Sequence, residues 1–290
     1  PLRLTAGWQA ALNGDWQRAE HFVGSLVEPP DSDAGLYGEA LAILAVANSR
    51  AERLDVAERY SSAYPKNAAD SLASRSITHI RAFSALFSGA SEEARRLLAN
   101  IPSDNRFFAQ EVVHSRSLGH IYLWEGRPTL ADAAVRRRYA LCEVAAGRRN
   151  ELTMALANVL AAACWERDSR DEARALLAFR FNLIERPDSL MWSERSYLVL
   201  ASIAASEGDE SRAFALLEAL TNIGATQGIL SIRLQSLTER IRLHAARHRA
   251  GQCAPLLEDL DNLFVQQSHL TPVGLHPLLH LYRNLAHSYA

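Results

Sequence analysis

Lysine is all but missing from this chain: Lys66 is the only one, and every other cationic side chain apart from histidine is arginine. That skew reflects codon usage rich in GC rather than a function. With a formal net charge of −2 the chain also lacks the basic excess that a nucleic-acid-binding surface leaves on composition, so direct contact with DNA or RNA is not expected. Cysteine is scarce. Cys142, Cys164 and Cys253 are odd in number and far apart, which excludes a disulfide framework, fits a reduced cytoplasmic protein and makes them packing residues. No run of eighteen apolar residues is present to span a bilayer, and no charged segment leads into an apolar core and cleavage site. Neither membrane insertion nor secretion is expected. The chain begins at Pro1 rather than methionine, as one segment of a longer polypeptide would.

Chemical signatures are missing as well. There is no GxSxG elbow, no GxxxxGK[ST] phosphate loop, no HExxH and no CxxC. His244 and His248 stand four apart, as do His276 and His280, a spacing that puts two imidazoles on one helix face. Neither pair has further ligands nearby in sequence, and Pro277 disturbs the second, so no metal is expected. No nucleophile, base and stabiliser can be placed together by spacing, and the chain does not read as an enzyme. Period-two alternation of Val, Ile and Thr is also lacking, which leaves an all-α fold.

What the chain does have is a period. Ala19, Ala57, Ala94, Ala131, Ala173, Ala213 and Ala254 each follow a helix-ending residue by five positions and begin an apolar helical stripe, about 37 to 42 residues apart. Gly14, Gly89, Gly126 and Gly208 sit at that preceding place, where a helix stops in a left-handed residue. Asp15, Ser91 and Asp209 then read as N-caps, and Ser169 with Glu172 has the spacing of a capping box. Ala213, Leu216, Leu217 and Leu220 give the i, i+3, i+4, i+7 stripe of a buried face. Each unit is thus a helical hairpin. Punctuation at Glu28-Pro29-Pro30-Asp31-Ser32-Asp33, Pro65, Pro102, Pro187 and Gly228 separates successive units. The expected hairpins span residues 1–28, 34–65, 69–102, 105–147, 150–186, 188–227 and 229–267, with a capping helix at 270–290, all in one solenoid over 1–290.

The stretch LGHIYLWEGRPTLADA, with Leu118, Gly119, Tyr122, Gly126 and Ala131, resembles the tetratricopeptide repeat. The family places a large apolar residue, a small one, an aromatic and the second-helix alanine in this order. Gly7, Ala45 and Ala161 take the small position in the first, second and fifth units, whereas Arg242 departs from it in the seventh. The resemblance implies a right-handed superhelix whose first helices line a concave groove. Counted in that register, His79, Phe87, Arg116, His120, Trp124, Asn158, Trp165, Glu166, Arg195 and Ser202 face the groove. Aromatic rings offer flat apolar surface and the polar groups directional hydrogen bonds, a combination suited to recognition. Tryptophan at helical spacing is equally a means of packing helices together.

The long units and the turns WEGRPTLADAA, ERDSRDEARALL and SEGDESRAFALL are similar to the sensor region of MalT-like transcription activators, ATP-binding regulators with a LuxR-type DNA-binding end. That resemblance implies a segment that binds a small effector in its groove and governs self-association. It has no cofactor of its own, since ATP belongs to a domain absent from this segment. The competing reading is a protein-interaction scaffold, with Arg116, Asn158 and Arg195 as a clamp for a peptide carboxylate. One further feature stands apart. Arg136, Arg137 and Arg138, followed by Arg148 and Arg149, form the densest basic stretch, read either as a solvated face paired with Glu143 or as a docking patch for an acidic partner or another protomer.

Overall fold

The computed structural model describes residues 2–27, 34–65, 69–102, 108–178, 190–270 and 277–290. Glu28–Asp33, Lys66, Pro187 and His276 lie outside them. Among the described residues there is no strand, and no helix is long and apolar enough to cross a membrane. The helices are α1 (Leu2–Leu12), α2 (Trp16–Val23), α3 (Ala34–Arg50), α4 (Leu54–Ala63), α5 (Leu72–Phe87), α6 (Ser91–Ala99), α7 (Phe108–Trp124), α8 (Pro128–Ala146), α9 (Glu151–Glu166), α10 (Arg170–Leu177), α11 (Leu190–Ser206), α12 (Glu210–Gln227), α13 (Leu230–Ala245), α14 (Ala250–Leu270) and α15 (Pro277–Tyr289).

Among the described residues one turn joins the two helices of all seven hairpins, and the same turn also ends α12 at Gly228, where the N–H of Ile229 donates to the Gly224 carbonyl at 2.9 Å. Gly14, Glu52, Gly89, Gly126, Asp168, Gly208 and His248 all have positive φ, between 55° and 84°. After each, the next residue's N–H donates to a carbonyl five residues back: Asp15 to Ala10, Arg53 to Asn48, Ala90 to Ala85, Arg127 to Tyr122, Ser169 to Cys164, Asp209 to Ala204 and Arg249 to His244, at 2.8–3.0 Å. These are the bonds of a Schellman motif, which satisfy carbonyls orphaned at the helix end and reverse the chain within two residues. Glycine marks only four of the seven because Glu52, Asp168 and His248 accept the left-handed conformation at a cost of roughly 1 kcal/mol or more each.

The turns correct the register of the last unit. Five residues beyond His248 comes Cys253, which is buried, whereas Ala254 is exposed. Cys253 is therefore the seventh anchor, beside six alanines with no accessible surface. The small-residue position moves with it from Arg242 to Ile241, which is fully buried and still larger than its counterparts. Capping also differs in part. Asp15 and Asp209 accept from the N–H groups of Arg18 and Arg212 as expected. Ser91 is the first residue of its helix rather than the cap, and Ser169 makes no side-chain cap bond. A true reciprocal box joins Ser71 and Ser74 at the start of α5.

The chain divides into two compact units, Pro1–Ser117 and Leu118–Ala290, with the division inside α7. In the first, α1/α2, α3/α4 and α5/α6 are hairpins, and α3 packs on both α1 and α5. Its Ile43, Leu44 and Ala47 join Ala11, Ala19 and Val23 in one core, while Leu41, Ala42 and Ala45 join Ala57, Ile77 and Ile80 in the next. In the second unit α9 packs against α8, α10 and α11, and every residue from Thr153 to Cys164 is buried. Gly119 lies where a Cβ would come within 2.6 Å of Val159 and 2.7 Å of Val135, which is why the position is small. Farther along, α13 packs against α12, α14 and α15, and Leu234, Leu237, Ile241, Cys253, Leu260 and Ala286 close the core there.

All three cysteines are buried and free. His244 stacks on Phe214 at 4.4 Å between ring centroids, and His248 occupies the seventh turn. Among the described residues, no group of three or more His, Cys, Asp or Glu side chains is placed to hold a metal.

Candidate functional site

In the first unit, α5 and α7 bring a polar set into the interior. His79 is 4% exposed, and its Nδ1 lies 2.9 Å from the Arg75 carbonyl, one turn back on the same helix, to which it donates as the neutral ring. The His114 ring stands edge-on, 6.1 Å away and tilted by 86°. Arg75 itself is 2% exposed. Its Nε and Nη2 donate to the two carboxylate oxygens of Asp70 at 2.8 Å each, and Nη1 reaches Glu111 of α7 at 3.5 Å. Arg116 is buried, and Phe87 is half-buried on the same helix as Phe83, their centroids 6.1 Å apart. Burial, together with the charge of Arg116, brings Arg50 down to about 10.

Burial, and secondarily the neighbouring His114, depresses His79 to about 3. The folded protein therefore holds this ring neutral at pH values where an unfolded histidine, titrating at about 6.5, takes a proton. Below that value, and down to the depressed one, the unfolded state binds the extra proton, so stability falls with pH by up to about 1.4 kcal/mol per unit. His79→Gln is expected to flatten the dependence of unfolding free energy between pH 6.5 and 4.5, measured by urea titration at each pH. An unchanged slope would show that His79 is not the group responsible.

In the second unit, His120 is buried and Trp124 is half-buried. Asn158, 2% exposed on α9, is fixed by α11: the Ser196 hydroxyl donates to its Oδ1. Its Nδ2 has no hydrogen-bond partner among the described residues. Trp165 is half-buried, with the Arg170 guanidinium 5.5 Å from its ring centroid, so one edge of the hairpin turn already engages the ring. Glu166 is exposed and Arg195 half-buried. Ser202 donates to Glu239 Oε1 at 3.3 Å, and Glu239 in turn takes Arg242 Nε at 2.9 Å. The hydrogen bond that Arg242 donates to Glu239 leads in holding its guanidinium above its ordinary range, with a contribution from the charge of Glu166.

Three groupings result. His79 meets Arg75 and His114; Asn158 meets Ser196; Ser202 meets Glu239, which holds Arg242. Glu239 escaped the sequence reading, and Arg242 was placed at the small position of its unit rather than in the groove. With Cys253 as the anchor, Arg242 stands six residues before the left-handed residue, the same place as His120 and Ser202, so the corrected register would have found it.

No family model matches the chain, and no curated protein matches it. Among solved structures, that of a Rap protein complexed with Competence and Sporulation Factor is similar, with a TM-score of 0.63 and 10% sequence identity over 99% of this chain and 86% of that one. At this identity the likeness bears on fold alone. It joins the seven repeated turns in showing an all-α, tetratricopeptide-like helical repeat.

Proposed function

We propose that this chain is a binding scaffold of the tetratricopeptide type, taking an extended peptide or partner helix along the first helices of the hairpins in its second unit, with no reaction of its own. Asn158 carries the reading. A buried amide whose oxygen is held by Ser196 while its nitrogen has no partner among the described residues is an oriented but covered donor, which a ligand carbonyl or carboxylate would satisfy on parting α9 from α11 far enough to reach it. Support of a coarser kind comes from the Rap protein, a similar fold whose structure contains a bound factor.

Peptides selected on this chain from a displayed random library supply the test. Asn158→Ala is expected to weaken the selected peptides about tenfold, the size of one lost hydrogen bond to a buried donor, with circular dichroism unchanged. Failure of any peptide to be enriched, or equal binding by the variant, would sink the proposal. The finer regulator reading rests on the 37–42-residue period and the turn sequences. It predicts instead that a small metabolite raises the melting temperature by several degrees, through binding to the folded state alone, while peptides do not.

A further inference from the structure

The basic stretch on α8 resolves into parts with different roles. Arg136 is engaged by its own surroundings, hydrogen-bonded to both oxygens of Asp132 and paired with Glu172 at 2.8 Å. Glu143 accepts from Tyr139 at 2.9 Å. Arg137, the next residue, is exposed and has no ion-pair partner among the described residues.

The face around Arg137 is apolar. Ala131, Val135, Tyr139 and Cys142 form the buried side of α8. The opposite side carries Leu130, Ala133, Arg137, Leu141 and Val144, each three or four residues after the last and thus along one helical stripe. Leu141 is 48% exposed and Val144 89%. Exposed residues between 129 and 149 include arginine but no carboxylate, with Arg149 also exposed just past the helix end. This is an apolar stripe with a cation at its middle and more at one end.

We propose that this face of α8 docks an amphipathic helix of another protein whose apolar stripe is flanked by carboxylates, one of them set opposite Arg137. Charge complementarity selects that occupant. A second copy of the chain meets the stripe poorly: antiparallel two-fold pairing of Leu130–Val144 is centred on Arg137 and brings it against its own counterpart in the seam. Alanine at 133 and its neighbour at 134 allows a close approach of the partner backbone, and the arginine gives the docking its register.

The test uses the whole chain and two synthetic helical peptides identical in their leucine stripe, one with glutamate and the other with lysine on the flanks, followed by fluorescence anisotropy. The glutamate peptide is expected to bind in the micromolar range and the lysine peptide at least tenfold more weakly. Val144→Glu is expected to weaken the glutamate peptide tenfold or more, and Arg137→Glu to reverse the preference between the two peptides. Both positions are exposed, and circular dichroism of each variant checks that the helices persist. Asn158→Ala leaves this binding unchanged, which separates the surface from the one proposed for peptides above. Equal affinity for the two peptides, no binding of either, or indifference to Val144→Glu would overturn the proposal. So would a wild-type dimer in sedimentation equilibrium that Val144→Glu dissolves, since it would make the second copy the occupant.

Discussion

Gly119→Leu is expected to cost about 3 kcal/mol or more of unfolding free energy, and Gly119→Ala a smaller but still net loss. A Cβ at that position meets Val159 at 2.6 Å and Val135 at 2.7 Å, distances at which two carbon atoms repel, and the Ala131 carbonyl closes a third side at 3.7 Å. Alanine brings about 1 kcal/mol of helix propensity to an interior helical position, which offsets part of the clash but not all of it. Leucine adds three more heavy atoms to a space already occupied. The contrast is Gly126, seven residues on. Its φ is +67° with nothing within 4 Å of an added Cβ, so Gly126→Ala costs only the backbone term of about 1 kcal/mol. Urea midpoints of the three variants measure this. If Gly119→Ala were stabilising, the neighbouring helices would have to yield, and the close approach would not define the fourth hairpin.

Arg75→Ala is expected to destabilise the protein by about 3–5 kcal/mol. Asp70, with a side chain 27% exposed, can be rehydrated when the guanidinium is removed. Glu111, at 3%, stays in the interior without that cation. The physical origin of the loss is therefore a buried carboxylate deprived of this cation rather than the missing attraction alone, and the double variant Arg75→Met with Glu111→Leu is expected to recover most of it, as buried ion pairs replaced by packed apolar groups do. A double-mutant cycle by urea unfolding separates the two terms. A cost below about 1 kcal/mol for Arg75→Ala would instead place the pair with ordinary surface salt bridges.

The hairpins were legible because their turns obey local rules: a left-handed residue, two tight backbone bonds, then a small side chain where two helices touch. Three of the seven turns hide those rules behind Glu52, Asp168 and His248, and the last was misread by one residue because Cys253 and Ala254 are both small. The left-handed His248, five residues before Cys253, and the burial of Cys253 decide between them. Partnerships across the repeat were harder to see. Arg75 with Glu111 and Asn158 with Ser196 lie 36 and 38 residues apart, about one period, so the register places them on adjacent first helices without saying that they touch. The exposed stripe on α8 was not visible in the sequence for another reason. Consecutive arginines draw attention to charge, whereas the alternation of buried and exposed sides sends Arg136 to Asp132 and Glu172 and leaves Arg137 among apolar neighbours.

The wholly buried middle of α9 has a consequence for the chain before it folds. From Thr153 to Cys164 the sequence TMALANVLAAAC contains no charge, and a helix enclosed on every side offers no polar face to water. During synthesis this stretch emerges well ahead of α11, which packs against it in the finished unit, so for that interval its apolar residues stand open to other nascent chains.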